Sequence, residues 1–138
     1  IAKAEKGFEV VAREDTNGTF DSALEAAKKI LNEQPDITAI MCGNDQMAVA
    51  AKTALNLAGN DQTVVYSIDG SPDIKKELKK ADGQIAGTVA QSPVNIGKKA
   101  VDIALDILEG KDFEKETSVD VFMINKENVE MYGADGWQ

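Results

Sequence analysis

The chain contains no histidine, one cysteine, and no apolar run longer than a strand. With a single thiol, Cys42, there can be no internal disulfide. With no histidine to act as its base, Cys42 reads as a small core residue rather than a nucleophile. Basic charge is also short. Against 24 Asp and Glu stand 15 Lys and Arg, a net charge of −9, which excludes the basic face that a nucleic-acid partner requires. No stretch is long enough to span a bilayer. A Gly-rich phosphate loop is missing, and nothing places two carboxylates together for acid–base work. No enzyme, cofactor or metal is therefore expected. Ile1 is preceded by neither an initiator Met nor a signal sequence, so the chain reads as a mature, trimmed or excised piece.

What is there is ordinary for a globular domain: 138 residues, 43% apolar and 28% charged, enough for one core and not for two. The stretch that organises it is residues 37–51. It begins with an apolar, partly β-branched run ending at Cys42, the pattern of a strand buried on both faces. Gly43-Asn44-Asp45 follows, then an Ala-rich run with Met47, Ala51 and Leu55 at helical spacing. Such a strand-to-helix turn lies at the carboxyl edge of a sheet, where open α/β folds hold their ligands. The Asn44 amide could donate and accept there; Asp45 reads as a helix cap.

Before this stretch, residues 8–13 read as a first strand, Asp15 to Thr19 as a polar turn, and residues 21–32 as a helix with Leu24, Ala27, Ile30 and Leu31 on one face. After it, the central helix closes near Gly59. Residues 63–68 form the next strand. Ser71-Pro72 opens a helix that stops near Gly83, and residues 84–89 form a strand weakened by Gly87. Ser92-Pro93 opens another helix, residues 94–109, whose apolar face is Ile96, Ala100, Ile103, Ala104, Ile107 and Leu108. Residues 119–124 are a last strand, and residues 126–138 a surface tail. The alternation predicts an α/β domain with a mainly parallel sheet and crossover helices on both faces.

Three turns then share one rim. They carry Asn44, Asp69 and Gln91, each one or two residues past its apolar run. Their side chains pair donors with acceptors, which suits the adjacent hydroxyls of a sugar. The other reading is three polar turn residues beside helix starts, where Asp and Asn are common anyway.

Gly-Asn-Asp-Gln-Met-Ala (43–48), Ser-Ile-Asp-Gly-Ser-Pro-Asp (67–73) and Gly-Thr-Val-Ala-Gln-Ser-Pro followed by Ile-Gly-Lys-Lys-Ala (87–100) occur in that order. Together they resemble the C-terminal lobe of ribose- or galactose-type periplasmic sugar-binding proteins of ABC importers, over about residues 8–128. The resemblance implies a three-layer lobe of the type I periplasmic-binding-protein fold, spanning residues 1–138 here. It implies closure on a monosaccharide in the cleft between this lobe and an N-terminal lobe that the chain lacks. Asn44, Asp69 and Gln91 match the family's sugar-binding positions. Ile68 stands where an aromatic ring is frequent. Phe20 is the aromatic residue nearest the family's contact before the first helix, although Gly18 fits that register better. The helix 94–109 would cross to the missing lobe. Left without it, the helix would fold back on its own sheet or pair with a second copy of the chain. Membrane subunits of the importer are the implied partners, and the place is a periplasm or, for a lipoprotein, the outer surface of the membrane. A LacI-type regulator's effector domain shares the fold and many of these motifs, although the tail after Ile124 differs from such a regulator's ending. An unrelated flavodoxin-like domain is the third alternative.

Overall fold

The computed structural model describes residues 7–81 and 83–137. Helix α1 (Phe20–Glu33) buries Ala23, Ala27 and Leu31, spaced four apart, and leaves Leu24 and Ile30 half-buried at the margins of that face. Strand β1 (Ala39–Met41) leads into α2 (Asp45–Ala58), whose buried residues include Ala48, Ala50, Ala51, Ala54 and Leu55. So many small side chains let α2 lie close between α1 and the sheet. Gly59, left-handed at φ 67°, ends it by donating its N–H to Asn56 and Leu55 carbonyls. Strand β2 (Val64–Asp69), helix α3 (Pro72–Leu78), strand β3 (Ile85–Ala90), helix α4 (Pro93–Leu108) and strand β4 (Phe122–Asn125) follow. Both Ser-Pro starts form as the sequence predicts. Ser71 accepts from the Ile74 amide and Ser92 from the Asn95 amide, with Pro72 and Pro93 at the first helical positions.

The sheet runs β1-β2-β3-β4, parallel across the first two junctions and antiparallel at the third. This is the expected α/β class with a mostly parallel sheet. Helices α2 and α3 cover one face, where Cys42, Val65, Ile85 and Ile124 meet Ala51, Leu55, Ile74 and Leu78. The other face is open: Val64, Tyr66 and Ile68 alternate with buried Val65 and Ser67 and stay exposed, as do Met41 and Met123. Helices on both faces were expected; among the described residues only one face is covered.

Four other expectations are corrected. Residues 8–13 form no strand, and Phe8, Val10 and Val11 are exposed; β propensity cannot make a ladder without a neighbouring strand. Strand β3 is as long as β2 despite Gly87. The glycine is needed there, because a Cβ would come within 2.8 Å of Met123 Sδ and 3.1 Å of the Ile124 carbonyl oxygen across the β3–β4 pair. The tail is docked rather than superficial. Val129, in the 3₁₀ turn Val129–Tyr132, is buried; Tyr132 stacks on Phe122 with centroids 5.0 Å apart; and the buried Lys75 ammonium donates to the Gly136 carbonyl. Finally, α4 does not fold back on the sheet. None of its residues is buried, and Ile96, Ile107 and Leu108 are 42%, 48% and 83% exposed.

Candidate functional site

Asn44 and Gln91 follow the carboxyl ends of β1 and β3, and Asp69 is the last residue of β2; the three strands are adjacent and parallel, so one rim of the sheet carries all three. Asp69 and Gln91 are joined directly. The Gln91 Nε2 donates to Asp69 Oδ1 at 3.1 Å, and the Gln91 backbone N–H donates to the Asp69 carbonyl at 3.0 Å. The backbone N–H of Asp45, next to Asn44 at the start of α2, also favours the ionised Asp69 carboxylate.

Asn44 is the N-cap of α2. Its Oδ1 accepts from the Met47 amide at 2.8 Å, and its Nδ2 donates to the Gly18 carbonyl at 3.0 Å. The amide keeps one N–H and one lone pair for a ligand. Gly18 lies in the turn just before α1, so Asn44 ties that turn to the rim. Phe20, half-buried at the first position of α1, is two residues further along. No ring contact joins Phe20 to another aromatic residue among those described.

Asp45 departs from its expected role. It does not cap the helix; Asn44 does. Asp45 is 3% exposed, and its carboxylate faces inward. Oδ1 accepts from Ser67 Oγ at 2.6 Å and from Thr88 Oγ1 at 2.7 Å, while Oδ2 accepts from the Ser71 backbone N–H at 2.6 Å. Thr88 Oγ1 in turn accepts from the Gly70 N–H at 3.2 Å. Sequence reasoning missed Ser67 and Thr88. Their signal was a hydroxyl within a largely apolar strand, which requires a partner when buried.

Charge at the rim follows from this packing. Burial pushes the Asp69 carboxyl above its ordinary value and the nearby Asp45 charge adds to the rise, while the Asp45 N–H and the Gln91 amide oppose it. Burial also pushes the Cys42 thiol up to about 11, so it stays neutral in the core. Beside Gln91, a groove of about 290 Å³ is lined by Gln91, Ser92, Ile96, Thr117, Val119 and Val121. There the chain leaves for α4 and returns toward β4.

Among the described residues no group of His, Cys, Asp and Glu could hold a metal ion, and no helix is long and apolar enough to cross a membrane. Residues 1–112 match the model of a family described as periplasmic binding protein domain. A ribose import binding protein of Salmonella typhimurium is 34% identical over 126 residues, 91% of this chain and 42% of that protein. One from Bacillus subtilis is 36% identical over 115 residues, covering 83% and 37% of the two chains. The D-allose-binding periplasmic protein of Escherichia coli is 33% identical over 100 residues, covering 72% and 32%. Among solved structures, a periplasmic solute-binding protein of an ABC transporter from Actinobacillus succinogenes with bound D-allose superposes with a TM-score of 0.86. Its identity is 27%, over 94% of this chain and 46% of that one. A glucose-galactose binding protein from Geobacillus stearothermophilus gives 0.85 at 30% identity, over 91% and 45%. The chain thus spans less than half the length of each of these proteins. All five are named as binding proteins, and none is named as a transcription regulator.

Proposed function

The chain belongs to the periplasmic binding protein domain family, and from that premise we propose that it supplies one lobe of a two-lobe, monosaccharide-binding component of an ABC sugar importer. The observation that carries the reading is the Asp69–Gln91 pair on the same rim as Asn44. A carboxylate that accepts from sugar hydroxyls makes charge-assisted bonds, and the two amides supply donors and acceptors beside it. Phe20 is assigned the apolar contact at the edge of the site. Ile68, half-exposed one residue before Asp69, offers aliphatic surface but no ring to stack on a sugar.

The second lobe covers the other side of the ligand, and α4 packs against it. Where that lobe is absent, a second copy of the chain covers the helix. The complete protein works outside the cytoplasmic membrane, free in a periplasm or held by a lipid anchor, and delivers its sugar to the importer's membrane subunits. It performs no chemistry on the ligand.

Calorimetric titration of the two-lobe protein with D-ribose and D-allose tests this reading. Asp69→Ala is expected to weaken binding more than Gln91→Ala, since hydrogen bonds to a charged group are worth about 1.5–3 kcal/mol, roughly ten- to a hundredfold. Equal, small losses would leave Asp69 as a turn residue only. The 138-residue chain alone is expected to bind these sugars very weakly. Saturable binding tighter than about 10 µM would place the whole site within this lobe and overturn the two-lobe reading.

A further inference from the structure

A carboxylate 3% exposed is costly to bury unless its charge is fully met by donors. Asp45 is met by three short bonds, from two hydroxyls and a backbone N–H. It also occupies the first turn of α2, where the helix dipole favours negative charge. The places where these ties land are informative. Ser67 precedes Asp69 by two residues, Gly70 is tied through Thr88, and Ser71 follows directly. Every tie of the Asp45 carboxylate brackets Asp69 without touching its side chain; only the Asp45 backbone N–H meets the Asp69 carboxylate directly.

The bracketed turn needs holding. Asp69 has φ 130° and Gly70 φ 78°; among the described residues the only other non-glycine at positive φ is Asn17. An L-residue persists in such a conformation only where its surroundings over-determine it. That conformation is also what sets the Asp69 carboxylate against the Gln91 amide.

We propose that Asp45 is a positioning residue for the sugar site: through Ser67, Thr88 and Ser71 its buried carboxylate holds the Asp69–Gly70 turn in shape and so aims the Asp69 carboxylate at the ligand. The proposal rests on the reading of Asp69 as a ligand residue. A merely structural Asp45 would stabilise the fold without governing Asp69, and the test separates the two.

In the 138-residue chain, carbon-13 NMR follows the titration of the Asp69 carboxyl, and the Gln91 side-chain amide protons report their bond to it. In the two-lobe protein, D-ribose and D-allose affinities are measured. Asp45→Asn keeps an acceptor for the hydroxyls but loses the charge and one acceptor oxygen. Thr88→Val removes the acceptor of the Gly70 N–H while leaving Ser67 and Ser71 on Asp45. For both variants the Gln91 protons are expected to stop tracking Asp69 and sugar affinity to fall about tenfold or more; the Asp69 titration is read on Thr88→Val, which leaves the neighbouring Asp45 charge in place, and is expected to move there toward that of an ordinary aspartate. Thr88→Ser, which restores the hydroxyl, is expected to recover all three. A folded Asp45→Asn protein with a lowered melting point but unchanged Gln91 response and affinity would overturn the proposal. Should Asp45→Asn fail to fold, the Thr88 pair decides by the same readouts. Should the two-lobe protein bind neither sugar, the functional reading falls while the NMR comparison still decides whether Asp45 governs Asp69.

Discussion

Gly70→Ala isolates the closest approach found at any described glycine. A Cβ at Gly70 would stand 2.5 Å from Ala90 Cβ and 2.9 Å from Ala90 Cα on the neighbouring strand β3. Carbon atoms prefer about 3.5–4.0 Å, so the substitution drives about 1 Å of overlap into strand backbone that cannot rotate away. Two effects of the residue type itself partly cancel. Adopting a left-handed conformation costs an alanine about 1–2 kcal/mol, whereas restricting the unfolded chain returns about 0.4–1 kcal/mol. Overpacking adds about 1–3 kcal/mol, for a net loss of roughly 2–4 kcal/mol. Gly59→Ala is the control. Gly59 has φ 67°, close to the 78° of Gly70, but its Cβ would meet nothing within 4 Å. Its expected loss is only the residue-type remainder, about 0.5–1 kcal/mol. Urea unfolding reads the difference. With a slope of about 2 kcal/mol per M, the two midpoints should lie about 1 M apart. Equal midpoints would show that β3 yields freely to the added methyl and that the contact does not constrain the turn.

Asp69→Asn is expected to raise the melting point at pH 7. The folded-state carboxyl is raised, so the folded protein holds its proton more readily than the unfolded chain, and ionisation opposes folding at neutral pH. The gain should vanish below about pH 4, where aspartate is protonated in both states; a gain that grew on acidification would contradict the sign. Glu77 is the opposite case. Burial opposes its charge, but hydrogen bonds from Lys52 at 2.6 Å and Lys80 at 2.6 Å outweigh that and hold the carboxyl below its ordinary value. Its stabilisation is therefore present above about pH 4.3 and lost as pH falls through the depressed value. Glu77→Gln should cost about 1–3 kcal/mol at pH 7, less than a wholly buried pair, and should flatten the acid limb of the stability profile. An unaltered acid limb would mean that the pair contributes nothing. On α4, light scattering of the 138-residue chain should show a dimer that Ile103→Asp disperses; a monomer before and after the substitution would remove the second copy as its cover.

Signals that act within a few residues were legible in the sequence. The Ser-Pro starts of α3 and α4, the Gly59 stop and the strand-to-helix turn at Asn44 were all readable, because caps and turns are settled by neighbouring backbone groups. The common rim of Asn44, Asp69 and Gln91 followed from strand order alone. What failed depended on distant parts of the chain. Residues 8–13 have a strand's composition, but a strand exists only as one side of a ladder. Gly87 looked like an interruption because its reason, Met123 and Ile124 across the sheet, lies over thirty residues away. Asp45 looked like a cap because every N-terminal acidic residue does. Its partners Ser67 and Thr88 lie 22 and 43 residues further on.

Gln91 sits immediately before the residue that caps α4, and the groove beside it also receives the returning segment at Val119 and Val121. The exit and entrance of that excursion form, in mechanical terms, a fulcrum with the helix as its lever. Sixteen residues of helix give an arm of about 24 Å, so a swing of about 10° at the base carries the tip through about 4 Å. The Gln91 amide, bonded to Asp69, lies at the root of that arm.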